Sequence, residues 1–134
     1  MAEETEPFDP SAHLILVVDD EPDTRHLAKK ILEYEGFNVL LAGDGEQAVE
    51  FVRDNDVELV LLDVRLPKRD GYWVCTEIKA MENKERIPLV IFFTVLSLNV
   101  DRQRGIEAGG DGFLVKPFSA DELIDFIKNA LQSF

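Results

Sequence analysis

Cysteine is almost absent from this chain, since Cys75 is the only one among 134 residues. No disulfide can therefore form within the chain, and such sparse use of cysteine is typical of a reducing compartment. A single thiol is most simply a small buried core residue, and this is the interpretation we give to Cys75.

Long apolar runs are also missing. No segment approaches the roughly 18 consecutive apolar residues that a membrane-spanning helix requires. The first residues are acidic rather than basic, which excludes a secretory signal peptide. An apolar fraction of 46% and a charged fraction of 31% are typical of a globular protein. We therefore expect one cytoplasmic, soluble domain.

Positive charge is scarce, because 14 Lys and Arg residues face 27 Asp and Glu residues, for a net charge of −13. Such a chain repels phosphate backbones and anionic lipid, so direct nucleic-acid and membrane binding are not expected. Residues 1–12 are acidic and contain two prolines, which predicts a disordered tail. Residues 13–134 then form the folded domain.

Short apolar runs rich in Val, Ile, Leu and Phe recur along the domain. Each is too short for a helix, and three are almost continuously apolar, which predicts strands buried on both faces of a parallel sheet. The runs are His13–Val18, Phe37–Leu41, Val57–Leu62, Pro88–Phe93 and Gly112–Val115.

Helical patterns separate these runs. Gly36 is positioned to end the first helix, and Ser119 with Glu122 forms a capping box at the start of the last. The apolar face of the first helix is predicted to comprise Leu27, Ile31, Leu32 and Tyr34. Five successive β–α units imply right-handed crossovers and a three-layer α/β sandwich.

Polar residues directly follow four of the strands: Asp19 and Asp20, then Asp63, Thr94 and Lys116. In a parallel sheet these positions share one edge, where ligands bind. Several carboxylates there would repel one another unless a cation lay among them, and Mg²⁺ prefers such oxygen ligands. A lysine and a hydroxyl complete a site suited to a phosphoryl group.

Each of these residues has a simpler alternative. Asp19 and Asp20 could cap the helix that begins near Pro22, and Asp63 could be a turn residue. Thr94 could likewise be a turn or cap residue, and Lys116 could be a solvated charge. These alternatives explain poorly why all of them fall at strand ends.

The chain resembles the receiver domain of two-component response regulators, the CheY-like family, from about Leu14 to Leu131. The resemblance is carried by Thr94 and by the segments LILVVDDE at 14–21, LVLLDVRLPKRDG at 59–71 and DRQRGIEAGGDGFLVKPF at 101–118. It implies a flavodoxin-like, doubly wound α/β fold with five parallel strands in the order 2-1-3-4-5 and five helices.

The resemblance also implies roles. Asp63 would accept a phosphoryl group from a histidine kinase or a phosphotransfer protein. Asp20 and Asp63 would ligate Mg²⁺, Asp19 would hold a metal-bound water, and the backbone carbonyl of Arg65 would add a ligand. Lys116 would pair first with Asp63 and then with the phosphoryl oxygens.

Thr94 and Phe113 are the implied switch pair, with Thr94 also binding the phosphoryl group. Phosphorylation would shift the population between two states of this pair and so control an output protein whose identity the sequence does not reveal. Phe113 could instead be an ordinary core residue. The Lys116-Pro117 peptide bond is expected to be cis, because the family has it so.

Three residues depart from the usual family pattern near the acceptor. Val95 follows Thr94 where the family usually has Ala or Gly, which narrows access to the site. Arg65 and Leu96, two residues after Asp63 and Thr94, offer no acid or amide to orient an attacking water. We therefore predict slow autodephosphorylation.

Gly112 and Phe126 stand where the transcription-factor class of receivers places an acid and a base for dimerisation. Those ion pairs cannot form here as usual, which predicts a monomer or a weak dimer. The chain ends at Phe134, near the expected end of the last helix, so it is either a stand-alone receiver or a fragment of a longer regulator.

Two other functions compete. A dehalogenase-type phosphatase would need a second acid two residues after Asp63, where Arg65 stands, and no GxxxxGK[ST] nucleotide-binding loop is present. We therefore do not expect an enzyme beyond the chain's own phosphorylation and dephosphorylation. The alternative is a pseudo-receiver that binds proteins without phosphorylation.

Overall fold

The computed structural model describes residues 7–82, 84–95 and 99–133. The strands are β1 (Leu14–Val18), β2 (Asn38–Ala42), β3 (Leu59–Leu62), β4 (Leu89–Thr94) and β5 (Gly112–Val115). The helices are α1 (Pro22–Glu35), α2 (Gly45–Asp54), α3 (Gly71–Lys79), α4 (Asn99–Glu107) and α5 (Ala120–Ser133).

All four strand pairings are parallel, and the strand order is β2-β1-β3-β4-β5. The predicted α/β fold and strand order are therefore confirmed. Val18 pairs with both Ala42 and Leu62, so the residues that follow β1 and β3 emerge side by side. The register thus brings the candidate site residues to one edge of the sheet.

Both faces of the sheet are covered, which explains the nearly continuous apolar runs. One core packs the sheet against α2 and α3, and the other packs it against α1 and α5. Successive residues of β1 alternate between them, with Leu16 and Val18 in the first core and Ile15 and Val17 in the second.

The predicted helix ends are confirmed where side chains or left-handed backbone cap them. Gly36 ends α1 with φ at 110°, a region that glycine enters at little cost. The Ser119 hydroxyl accepts the Glu122 N–H at 3.0 Å, and the Glu122 carboxylate accepts the Ser119 N–H at 3.0 Å. This capping box fixes α5 directly after the strand end that carries Lys116.

The structure differs from the expected disordered tail over residues 7–12. Pro10–Ala12 form a short 3₁₀ turn, which Asp9 caps by accepting the Ser11 N–H at 3.0 Å. The Phe8 ring stacks on His13, with 4.9 Å between ring centroids, and packs edge-on against Phe37. Apolar contact therefore outweighs the acidic composition here, while residues 1–6 lie outside the described part of the chain.

The apolar face of α1 is also rotated from the predicted one. Ala28 and Leu32 are fully buried, whereas Leu27 is 53% and Tyr34 is 93% exposed. Within the described residues, no helix combines the length and the apolar character needed to cross a membrane.

Candidate functional site

Three aspartates meet at the carboxyl edge of the sheet. One carboxylate oxygen each from Asp19, Asp20 and Asp63 lies within 4.8 Å of the others. Asp19 and Asp63 are buried, whereas Asp20 is exposed. Asp19 and Asp63 therefore form the buried part of the cluster, and the side at Asp20 is open to solvent.

Backbone hydrogen bonds continue the sheet into this cluster. The Asp19 N–H donates to the Ala42 carbonyl at 3.2 Å, and the Asp63 N–H donates to the Val18 carbonyl at 3.0 Å. Their side chains are held as well, because Asp19 Oδ1 accepts the Glu21 N–H at 2.9 Å and Asp63 Oδ1 accepts the Arg65 N–H at 3.2 Å.

Lys116 joins two of the aspartates. Its Nζ donates to Asp19 Oδ2 at 2.6 Å and to Asp63 Oδ2 at 3.1 Å. The ammonium also lies 4.5 Å from the centroid of the Phe93 ring, in cation–π range. The Lys116 N–H donates to the Thr94 carbonyl at 2.9 Å, and the following bond to Pro117 is cis, as predicted.

Burial and charge shift the pKa values of this pair. Burial raises the pKa of the Asp63 carboxyl above its usual 3.8, and the nearby Lys116 charge and hydrogen bond reduce that rise without cancelling it. Burial alone would lower the pKa of Lys116, but its hydrogen bond to Asp19 and the charge and hydrogen bond of Asp63 together raise it above 10.5. The lysine therefore stays charged at neutral pH.

A cavity of about 430 Å³ opens beside Asp63. Thr94 is buried in its wall, and Val95, which is 60% exposed, stands at its rim. Among the residues that the structure describes, its lining comprises Asp20, Glu21, Thr24, Asp63, Arg65, Thr94, Val95 and Lys116. A tetrahedral anion that entered it would meet a carboxylate, a hydroxyl and an ammonium together.

The donor set fits a hard divalent cation. Three ionised aspartates and one ammonium leave an excess of two negative charges. All three potential metal ligands are carboxylate oxygens, and the open side at Asp20 leaves room for the waters that Mg²⁺ retains. Asp19, Asp20 and Asp63 are thus suited to hold Mg²⁺.

The other predicted residues take different positions. Arg65 lines the cavity, and Leu96 lies outside the described residues. The half-buried Phe113 ring stacks on Phe92, with 5.4 Å between centroids, below the Arg102 guanidinium. Phe113 therefore lies against α4, on the same strand pair that positions Thr94.

Sequence reasoning missed three residues that border the site. Phe93 supports the Lys116 ammonium from the core, Thr24 lines the cavity, and Arg25 donates to the Asp19 carbonyl. The sequence contains one signal for Thr24 and Arg25. They follow Asp20 and Glu21 by four residues, which is one helical turn once α1 is known to begin at Pro22.

Solved receiver domains share this fold. The chain is 35% identical to the receiver domain of sensor histidine kinase PA1611 from Pseudomonas aeruginosa PAO1, with a TM-score of 0.79 over 87% of this chain and 95% of that one. That structure holds a magnesium ion in its active site cleft. A signal receiver domain of a histidine kinase from Syntrophus aciditrophicus is 33% identical, with a TM-score of 0.80, and the match covers 90% and 91% of the two chains.

Curated relatives point the same way. The transcriptional regulatory protein CpxR of Escherichia coli K12 is 42% identical over 118 residues, which are 88% of this chain and 49% of CpxR. The chain thus spans about half the length of the curated relatives it matches. The response regulator receiver domain model matches residues 15–128, and with the aspartate cluster on the expected strand ends, the chain belongs to the receiver domain family of two-component response regulators.

Proposed function

We propose that Asp63 accepts a phosphoryl group from the phosphohistidine of a histidine kinase or a phosphotransfer protein, with Mg²⁺ bound at Asp19, Asp20 and Asp63. The observation that carries this proposal is the Lys116 ammonium, which bridges Asp19 and Asp63 at the rim of an acidic, oxygen-lined cavity. The magnesium in the related PA1611 receiver supports the choice of metal.

The chain's residues divide the reaction between them. An Asp63 carboxylate oxygen attacks phosphorus, a P–O bond forms, and the P–N bond to the donor histidine breaks, with its electron pair leaving on the imidazole. Lys116 then moves from the carboxylate to the phosphoryl oxygens, and the Thr94 hydroxyl donates to another of them. Bound Mg²⁺, which the Arg65 backbone carbonyl would also ligate, supplies charge neutralisation.

The acyl phosphate would act through Thr94 and Phe113. A turn of the Thr94 hydroxyl toward the phosphoryl group alters the space beside β5, where Phe113 packs against α4. We infer that the face formed by α4, β5 and α5 then controls an output protein. The chain acts in the cytoplasm as a monomer or a weak dimer, with neither nucleic acid nor membrane bound directly.

Dephosphorylation should be slow. Val95 stands at the cavity rim, and Arg65 offers no carboxylate or amide to orient a water for attack on the acyl phosphate. Leu96, for which the same was predicted from sequence, lies outside the described residues. Decay of the adduct within seconds in Mg²⁺ buffer would contradict this part of the proposal.

The acceptor can be tested by intact mass after incubation with Mg²⁺ and phosphoramidate, a small donor with the same kind of P–N bond. We expect one phosphoryl adduct on the wild type and none on Asp63→Asn. Asp54→Asn removes the same charge from an exposed position at the end of α2 and should be modified like the wild type. A wild type that stays unmodified would favour the phosphorylation-independent pseudo-receiver.

A further inference from the structure

We propose that Arg25 is a positioning residue for the metal-binding aspartates, and that Gly43 provides the space for its guanidinium. This inference rests on the proposed function, since it concerns the same acidic cluster. It adds two residues on α1 and the β2–α2 loop that sequence reasoning did not assign.

Arg25 reaches from α1 to the end of β1. Its Nη1 donates to the Asp19 backbone carbonyl at 2.9 Å. That carbonyl belongs to the peptide group that joins Asp19 to Asp20, so the guanidinium fixes the plane from which the Asp20 side chain projects. The contact is half-buried, which limits competition from water for the carbonyl.

Asp19 is held at each of its polar atoms. Ala42 accepts its N–H, Glu21 donates to Oδ1 and Lys116 donates to Oδ2. Arg25 supplies the remaining bond, to the carbonyl oxygen. The exposed Asp20 carboxylate accepts no hydrogen bond from the described residues, so its orientation depends on the backbone that Arg25 holds.

Gly43 has no side chain, and this leaves room for the Arg25 guanidinium. A Cβ at this position would lie 2.8 Å from Arg25 Nη1 and 3.7 Å from its Cζ, while no backbone atom is in the way. The end of a long side chain can move aside at little cost. Gly43→Ala should therefore leave the fold intact and displace the guanidinium from the Asp19 carbonyl.

The test measures Mg²⁺ binding by isothermal titration calorimetry, without any phosphodonor. Residues that orient metal ligands typically contribute 10–100-fold in metal affinity. We expect about tenfold weaker Mg²⁺ binding for Arg25→Gln and a similar loss for Arg25→Lys, because lysine keeps the charge but not the reach and geometry of the guanidinium. Lys30→Gln, an equal charge change at an exposed position on the same helix, should bind like the wild type.

Gly43→Ala tests whether Gly43 affects Mg²⁺ binding through the Arg25 guanidinium. It should weaken Mg²⁺ binding in the wild type and have no further effect in the Arg25→Gln background, as in a double-mutant cycle for one shared interaction. In metal-free protein, the Asp19 carbonyl ¹³C and Asp20 amide ¹⁵N chemical shifts should move in both single variants and stay in place in Lys30→Gln.

The outcomes separate this inference from the function on which it rests. If the wild type binds Mg²⁺ and Arg25→Gln binds it equally well or more tightly, the positioning role of Arg25 is wrong, but the proposed function stands. Additive losses for Arg25→Gln and Gly43→Ala would show that Gly43 acts independently of the guanidinium, which also overturns the proposal. A wild type without measurable Mg²⁺ binding would overturn both.

Discussion

At the scale of the residue, the missing side chain of Gly71 constrains the segment that carries Asp63, the proposed acceptor. A Cβ there would lie 2.4 Å from the Asp63 carbonyl oxygen and 2.9 Å from Val64 Cα. Both atoms belong to the backbone, so neither can move aside as a side chain can. The missing Cβ therefore lets α3 begin directly against the segment that carries Asp63.

Gly71→Ala should push that segment away and lower the free energy of unfolding by about 1–3 kcal/mol, the usual cost of overpacking. Phosphorylation of Asp63 should fall with it. Urea denaturation followed by circular dichroism measures the stability. Gly112→Ala is the matched control, because its nearest neighbours are side-chain atoms of Ile91 and Phe126 at 3.3 and 3.4 Å. Equal losses for the two variants would contradict the steric argument.

Cys75 gives a prediction about pH. Burial raises the pKa of its thiol from 9.0 to about 11, and its Sγ donates to the Ala108 carbonyl at 3.3 Å. Between those pH values the unfolded chain loses the thiol proton while the folded chain keeps it. The contribution of the thiol to the free energy of unfolding therefore falls as the pH rises.

The advantage of wild type over Cys75→Ala in free energy of unfolding should therefore shrink between pH 8 and pH 11, by on the order of 2 kcal/mol. Urea midpoints of the two proteins across this range measure the difference, and the comparison cancels those titrations that both proteins share equally. A constant difference would show that the thiol titrates alike in the folded and unfolded chains.

At the scale of elements, the cap of α5 links helix stability to the site. Ser119→Ala removes the acceptor for the Glu122 N–H and should cost about 1 kcal/mol, whereas Ser119→Asp keeps an acceptor and should cost much less. Chemical denaturation of both variants provides the measurement. If alanine and aspartate destabilise the chain equally, the hydroxyl is not acting as a cap.

Elements were predictable where local chemistry determines them. The apolar runs located all five strands, and Gly36 and Ser119 marked helix ends that the structure confirms. The face of α1 was not predictable in this way, because Leu27 and Tyr34 follow the same helical spacing as buried residues. The helix lies close to the sheet at the small residue Ala28, and that choice depends on tertiary packing.

The same division holds for the site. Asp19, Asp63 and Lys116 could be predicted as neighbours because strand ends in a parallel sheet share one edge. Arg25 could not, since its role requires the path of a long side chain across two elements. Phe8 was missed for a related reason, because its packing against Phe37 joins residues that are far apart in the sequence, while the composition around Phe8 is acidic.

At the scale of the whole molecule, the acidic cluster adds repulsion to a chain that already carries a net charge of −13. The raised pKa of Asp63 means that the folded chain holds a proton there more tightly than the unfolded chain does. Above pH 3.8, ionised Asp63 therefore costs stability in the metal-free protein. Lys116 offsets only part of this cost, so a divalent cation should stabilise the entire fold.

We accordingly expect MgCl₂ to raise the thermal midpoint of the wild type more than NaCl of equal ionic strength does. A Mg²⁺ concentration of 100 times Kd should raise the free energy of unfolding by about 2.7 kcal/mol.

Without metal, Asp63→Asn should be more stable than the wild type, because Lys116 keeps its 2.6 Å bond to Asp19 while one buried charge is gone. With Mg²⁺ the thermal midpoint of Asp63→Asn should rise less than that of the wild type. The difference between the two midpoints should therefore shrink or change sign. Scanning calorimetry of both proteins in both salts decides the matter, and an Asp63→Asn variant that is less stable without metal would show that the Lys116 pair outweighs the cost of burying the carboxylate.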